Sequence, residues 1–460
     1  MEMPESPEQA VKAAKAGKAE TERKDKPGQP GQPGQSGQSG QPGKAGQHGQ
    51  AEKARESVRS GQEARGKPRA QAEGVGESGQ FGQSGEADQP EPARTGADLK
   101  FLSAVRREID WVDEEILELL NKRARISKRV GRLKAGSGDP VFKPAREKRL
   151  LDRLTAMNPG PLPNDHLRAI YREIMSSSRA LQRPQRIVYL GPEGTFSHLA
   201  AMEYLGQSVD YLPKGNLEAV FGAVSRGEAD LGVIPLENSL EGSVGQSLDL
   251  FHRFDVFIQA ELFCRIRHAL LSKAASLDAV SAVFSHPQPL AQCAHWLRAN
   301  LPHAGLIPTD STAAAARTVA DKPGAAAIGQ SRLAELHGLN VLAAGIEDTP
   351  DNWTRFCVIA ASPLADGQPD KTSVLFTTPD KPGALAAVLG ALAEHGINMS
   401  KLESRPLKGE KWKYVFFADL ECDLSAEEHK KALALLREKC HTLRLLGSYP
   451  SGPKLDMNRE

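Results

Sequence analysis

The sequence predicts a multidomain protein with three ordered parts: an all-α helical segment, an α/β segment, and a closing α+β segment of ferredoxin-like order. Three observations carry this reading. Apolar residues from Leu102 to Leu133 recur at alternating three- and four-residue intervals, the mark of a long helix with one buried seam. From Arg186 short aliphatic runs (IVYLG, ADLGVIPL, AVSAVFSH, AAAIG, RFCVIA) alternate with helix-like stretches, as buried parallel strands and their crossover helices do. After a linker around Pro363–Lys371 the pattern reads strand, helix, strand, strand, helix, strand. A length of 460 residues suits about three domains at ~150 residues each.

Composition excludes several classes of function. A formal charge of +1 gives no net field to steer the chain onto nucleic acid or an anionic membrane. No run approaches the ~20 apolar residues of a membrane span, and the opening MEMPESPEQA has no apolar core, so no secretory signal is expected. Cys264, Cys293, Cys357, Cys422 and Cys440 are scattered without a CxxC pair, which fits buried thiols in a reducing cytoplasm better than disulfides or a zinc site. A cytoplasmic protein with neither metal nor cofactor is expected.

Taken in order, residues 1–96 are rich in Gly, Gln, Pro, Ser, Lys and Glu and poor in aliphatics, so they cannot offset the entropy of ordering. Glycine recurs every third residue from Gly28 to Gly49, too short and too Gln-rich a run for a triple helix. A disordered tail is expected. The helical domain is placed at 97–183. Its first helix begins at Asp98 as N-cap and stops at Gly136 and Gly138. At 1.5 Å per residue it is ~55 Å long, more than one small domain can bury, which predicts pairing with a partner chain. A second helix runs from about Pro144 to Ala156. A third begins near Asn164 and carries Leu167, Ile170, Tyr171, Ile174 and Leu181 on one face. Arg183-Pro184 marks a boundary. The α/β domain then spans 185–362 and the final domain 371–450.

The helical seam contains cations. Arg123 stands between Leu119 and Ile126, where the spacing calls for an apolar residue. A buried arginine without an anion costs several kcal/mol, so it either snorkels outward or meets an anionic ligand. Lys134, eleven residues on, falls within ~20° of the same face. Ser178 interrupts the seam of the third helix, with Gln182 one turn beyond it. With Arg146 and Glu147 from the second helix these residues outline a small cation-rich cavity suited to a dicarboxylate. Arg106 lies ~100° round the axis and ~25 Å from Arg123, so it reaches such a site only from an antiparallel partner.

The α/β segment carries GPEGTFSH (191–198), PLENS (235–239), SHPQPLAQC (285–293), DSTAAA (310–315) and NWTRF (352–356). Each lies at a strand end or opens a helix, where open α/β sheets bind ligands. Taken singly, the hydroxyl residues read as ordinary helix caps. There is no GxSxG elbow, metal-ligand cluster or nucleotide-binding glycine loop. In the last domain PDKPGAL (379–385) reads as a turn before a helix and LESRP (402–406) as a strand with a proline stop.

Together these motifs bring known families into view. Residues 98–183, through VRREID, NKR, VGRLK, PVFKPAREK and IMSSSRALQ, resemble the all-helical type II chorismate mutases. The resemblance implies an intertwined helical dimer that rearranges chorismate to prephenate by positioning and electrostatics, without a nucleophile. It also implies that Arg106 (from the partner), Arg123 and Arg146 grip carboxylates, that Lys134 and Gln182 contact the ether oxygen, and that Glu147, Ser178 and the segment around Lys143 contact the hydroxyl. Lys143 stands where some members carry an aspartate. The second set is similar to prephenate dehydratase, which implies a two-lobed fold like a periplasmic binding protein and conversion of prephenate to phenylpyruvate. By that resemblance Thr354 is the proton donor, Arg355 pairs a carboxylate, and Thr195, Glu237, Asn238, Ser239, Ser311 and Thr312 complete the pocket. Glu237 and His286 remain rival donors, and His286 reads equally as a structural histidine. The last segment resembles an ACT domain, implying phenylalanine bound across a dimer interface by Gly383, Ala384, Leu385, Glu403, Ser404, Arg405 and Pro406, with feedback inhibition. Two other readings stand beside this one: a dehydratase alone, favouring arogenate over prephenate, on a dimerising helical scaffold; and a non-catalytic amino-acid sensor.

Overall fold

A computed structural model describes residues 96–136, 139–364, 367–407 and 413–456. Residues 1–95 of the stretch assigned to a disordered tail, and Gly138, lie outside the described residues, while Gly96 belongs to the first helix. The helical part consists of α1 (Gly96–Lys134), α2 (Pro144–Met157) and α3 (Asn164–Gln182). Helix α1 starts two residues before Asp98, which therefore lies in its first turn rather than capping it. Its 39 residues make a rod of ~58 Å. It packs on α3 through its C-terminal half, where a Cβ at Gly131 would lie 2.7 Å from the Cα of Gln182. Only glycine lets the two backbones cross that closely. Along the rest of α1 the apolar seam is uncovered within one chain, with Leu119 63% exposed.

The α/β part begins with β1 (Arg186–Leu190), α4 (Phe196–Leu205), β2 (Asp210–Lys214), α5 (Leu217–Ser225), β3 (Leu231–Asn238), β4 (Gly242–Ser243), α6 (Gly245–Arg253) and β5 (Phe257–Arg265). The chain then builds a second lobe from β6 (Ala269–Ser272), β7 (Ala282–Ser285), α7 (Pro287–Gln292), α8 (Ala294–Asn300), β8 (Gly305–Pro308), α9 (Thr312–Val319), β9 (Ala325–Gly329), α10 (Arg332–His337) and β10 (Asn340–Ala344). It returns to the first lobe in β11 (Trp353–Ala360). The first sheet has the order β5-β11-β3-β1-β2, with β4 on β3 and a short strand from the chain's end (Lys454–Leu455, β16) beside β5, and the second β10-β6-β9-β7-β8. Strands β1, β2 and β3 are parallel, but β11 runs antiparallel between β3 and β5, so the expected parallel sheet is mixed. β11 is a near-continuous apolar run because both of its faces are covered.

The last part follows the order β12 (Lys371–Thr377), α11 (Ala384–Glu394), β13 (Met399–Pro406), β14 (Tyr414–Leu420), α12 (Lys430–Lys439) and β15 (Thr442–Tyr449), before β16 (Lys454–Leu455) joins the first lobe. Its antiparallel sheet has the order β13-β14-β12-β15. The two-residue pleat divides its side chains. Val374 and Phe376 meet α11 and α12, while Leu375, Phe417 and Leu446 join the first lobe's core around Phe221 and Phe251. Four of the five cysteines are buried and Cys422 is half-buried; all five are free thiols.

Candidate active sites

The helical part holds a cavity of about 250 Å³ lined by Arg123, Lys134, Lys143, Arg146, Glu147, Ser178, Arg179 and Gln182, with Ile126, Val130, Leu150 and Met175 supplying apolar wall. α1, α2 and α3 each present their polar residues inward, as the interrupted seams suggested. Arg123 donates to Ser178 Oγ and to Ile174 O at 3.3 Å. Burial pulls its pKa below the usual guanidinium value, opposed by the nearby Tyr171 and Glu147. Lys134 Nζ donates to Pro140 O at 3.1 Å and lies 2.9 Å from Asp139, which also pairs Lys143 at 2.8 Å. Those hydrogen bonds, Lys143's first and then Lys134's, hold the Asp139 carboxyl below its ordinary range. Gln182 Nε2 donates to Ser178 O at 3.1 Å. Arg106 is exposed on α1 and does not line its own chain's cavity.

Between the two α/β lobes lies a cavity of about 590 Å³. Thr195, Asn238, His286, Ser311, Thr312 and Thr354 line it. Thr195 caps α4, its Oγ1 accepting from His198 N at 3.4 Å and donating to Leu190 O at 2.8 Å. Ser311 caps α9, accepting from Ala314 N at 3.0 Å. His286 caps the short α7 through Nδ1, accepting from Gln288 N at 3.3 Å, which is the backbone-bonded role weighed for it. Thr354 Oγ1 accepts from Asn238 Nδ2 at 3.0 Å, and the same amide donates to Asn352 Oδ1 at 2.7 Å. Asn238 is itself fixed, since its Oδ1 accepts from Leu240 N and Glu241 N. The Thr354 hydroxyl is thereby held at the cleft wall by Asn238.

Three expected pocket residues are elsewhere. Glu237 and Arg355 face each other across β3 and β11, one residue from Asn238 and Thr354, and successive residues of a strand point to opposite faces. Arg355 is 4% exposed and points toward the last domain. It meets Asp419 at 2.5 Å, Tyr449 OH at 3.0 Å and Glu237 at 3.7 Å, and its Nε lies 2.7 Å from Glu261 without hydrogen-bond alignment. It therefore pairs protein carboxylates rather than one in the cleft. Glu237 pairs Lys401 at 2.6 Å. Ser239 is exposed and closes the β3–β11 end, its Oγ accepting from Trp353 N at 2.9 Å.

The same alternation divides LESRP. Glu403 and Arg405 turn inward, Glu403 accepting from Ser243 Oγ at 3.2 Å and Arg405 donating to Asp249 at 3.0 Å. Ser404 and Pro406 are exposed. Gly383 takes φ +78° at the start of α11, a left-handed conformation that favours glycine, followed by the buried Ala384 and then Leu385. Glu403 and Arg405 thus serve as contacts with the first lobe, whereas Gly383, Ser404 and Pro406 are exposed and Ala384 and Leu385 turn into the domain's own core.

The sequence reading missed Asp139, Arg179, Ser243 and His268. Arg179 adjoins Ser178 in a segment already singled out, and Ser243 lies in the Gly/Ser stretch after PLENS. His268 has no such signal. It is buried beside the cleft, its Nε2 2.9 Å from Gln292 Oε1 and its Nδ1 without a partner among the described residues. Burial pushes its pKa below the ordinary histidine value, which favours the neutral ring. Among the described residues no group of side chains could hold a metal, and no helix is long and apolar enough to cross a membrane.

The chain joins a helical unit with a cation-lined cavity to a two-lobed α/β unit with a cleft and an α+β unit, the layout of a multidomain enzyme. Residues 105–183 match the chorismate mutase type II model, 187–363 the prephenate dehydratase model and 372–435 the ACT domain model. The bifunctional chorismate mutase/prephenate dehydratase of Aquifex aeolicus is 43% identical over 353 residues, covering 76% of this chain and 98% of its own. That of Stutzerimonas stutzeri is 39% identical over 355 residues, covering 76% and 97%. The crystal structure of prephenate dehydratase from Arthrobacter aurescens in complex with L-Phe superposes with a TM-score of 0.53 at 33% identity, over 58% of this chain and 90% of that one. A chain described as a novel type of quorum quenching acylase superposes equally, at 31% identity, so this fold by itself does not fix the chemistry. This chain belongs to the family of bifunctional chorismate mutase/prephenate dehydratases.

Proposed function

We propose that the chain converts chorismate to prephenate in the helical cavity and prephenate to phenylpyruvate in the cleft, under feedback from phenylalanine at the ACT domain. In the first step Arg123, Arg146 and a partner's Arg106 hold the two carboxylates, so the flexible substrate is kept in its compact conformer. Lys134 and Gln182 face the ether oxygen, where negative charge grows as the carbon–oxygen bond breaks. Glu147 and Ser178 take the hydroxyl. The uncovered seam of α1 supports a second copy lying antiparallel along it, which would carry Arg106 into the neighbouring cavity.

In the second step the carbon–carbon bond to the ring carboxylate breaks, carbon dioxide leaves, and its electron pair makes the ring aromatic while expelling the ring hydroxyl. Thr354 donates the proton that turns that hydroxyl into water, oriented by the amide of Asn238. His286 is the rival donor. Glu237 is a weaker one, because its side chain turns away from the cleft. Phenylalanine would meet backbone N–H groups near Gly383–Leu385 at the start of α11. β13 would relay its presence through Glu403 and Lys401 to Ser243, which lines the cleft. Such an effector acts only as far as its affinity differs between the open and closed lobes.

What supports two active centres most is the convergence of Arg123, Lys134, Arg146, Glu147, Ser178 and Gln182 on one cavity. Supplying the purified chain with chorismate alone tests the reading, with phenylpyruvate the expected product. Prephenate turnover without chorismate consumption would instead leave a dehydratase on a helical scaffold. Turnover of neither substrate would favour a sensor, and dehydration indifferent to phenylalanine would remove the feedback.

A further inference from the structure

The residue next to Ser178 is held by both catalytic units. Arg179 is 3% exposed, on the face of α3 turned toward α2 and α4. Its Nη1 donates to both carboxylate oxygens of Glu147 at 2.6 Å, its Nη2 donates to Leu205 O, and its guanidinium stands 5.7 Å from the centre of the Phe142 ring. Leu205 closes α4, so a cation meets a helix C-terminus there, the favourable end for positive charge. The same helix opens at the dehydratase cleft with Thr195 and Phe196.

We infer that Arg179 is a positioning residue of the mutase site, clamped from the dehydratase unit, that keeps the Glu147 carboxylate away from the substrate-gripping arginines. Glu147 stands close enough to Arg123 to raise its pKa, and Arg146 close enough to lower it. A released Glu147 has two nearby cations to pair with, Arg123 and Arg146, and either pair would occupy a group meant for a substrate carboxylate. The planar fork of Arg179 takes that charge instead, and the Leu205 carbonyl fixes the fork. The dehydratase unit thereby supports the mutase site through one backbone carbonyl, that of Leu205. This inference rests on the placing of Glu147 in the chorismate site.

The test uses full-length protein and follows chorismate consumption and prephenate turnover in the same preparation. Arg179→Met is expected to raise the KM for chorismate about tenfold or more, with a smaller fall in kcat, because a competing carboxylate weakens substrate binding first. Prephenate turnover is expected to stay within about twofold, since Arg179 does not line the cleft. Arg179→Lys, which keeps the charge without the fork, should show a smaller rise in KM and serves if the methionine variant folds poorly. In a Glu147→Gln background there is no carboxylate to release, so adding Arg179→Met should change little. Equal effects with and without Glu147, parallel loss of both activities, or an unchanged chorismate KM would each overturn the inference. A Glu147→Gln protein with wild-type mutase kinetics would instead remove Glu147 from the site, and its parent comparison reports that separately.

Discussion

The two cavities are proposed to receive dicarboxylates of the same size, yet they present positive charge in different forms. The helical cavity carries full charges on Arg123, Lys134, Lys143 and Arg146. Among the described residues lining the cleft there is neither lysine nor arginine. It offers instead the first turns of α4, α6 and α9, through Thr195, Val244 and Ser311, where backbone N–H groups carry about half a unit of positive charge per helix. The chemistry accounts for the contrast. Rearrangement of chorismate keeps both carboxylates, so gripping them hard costs nothing at the transition state. Conversion of prephenate destroys one of them, and a guanidinium clamped on that carboxylate would stabilise the reactant more than the transition state. Diffuse helix-end charge would bind the acid without holding it back.

The sharpest way to break this comparison is at the proposed donor. Thr354→Val keeps the shape of the side chain and removes the proton, and it should lower dehydratase kcat by about 10²–10⁴ while chorismate consumption is unaffected. Thr354→Ser should retain most of the activity. Measured with prephenate as substrate, a fully active valine variant would transfer the role to His286. Next in size is the opposite cavity. Lys134→Met should reduce mutase kcat by about 10²–10³, the usual effect of removing one preorganised donor from developing negative charge, and leave prephenate turnover intact. If both activities fell together, the units would not be chemically separate and the contrast of charge would lose its meaning.

Much of this was legible in the sequence because each signal was local. The spacing around Arg123 and Lys134 exposes polar residues in an apolar seam, and the helix caps Thr195 and Ser311 sit at strand ends where the pattern alone puts them. The misplaced residues share one cause. Glu237, Arg355, Glu403 and Arg405 lie beside pocket or edge residues along the chain, but a strand sends neighbours to opposite faces. Applying the two-residue period to NWTRF once Thr354 was chosen would have turned Arg355 away from the cleft. What no local pattern could give is the destination of the turned-away residues. Arg355 finds Asp419 and Tyr449 some sixty and ninety positions further along the chain, and such partners follow only from how the units dock. Arg179 was hidden for the same reason, since its worth depends on Leu205 in the next unit. The antiparallel insertion of β11 is likewise a consequence of the chain's return from the second lobe, which aliphatic runs cannot announce.

The smallest predicted effect probes the contrast without mutation. Mobile ions screen full charges on half-open side chains, and the Debye length shrinks from ~10 Å at 0.1 M salt to ~3 Å at 1 M. Helix-end charge is only about half a unit and acts over the first turn through short N–H contacts, so salt takes less from it than from a full side-chain charge. Raising sodium chloride from about 0.05 M to about 0.5 M should therefore increase the KM for chorismate several-fold and that for prephenate by less than about twofold. The ratio of the two shifts is the useful quantity, because a general effect of salt on water activity or stability acts on both. Equal shifts would mean that the cleft draws on full charges beyond its lining residues, a partner subunit's included. A larger shift for prephenate would reverse the assignment of strong and diffuse charge to the two steps.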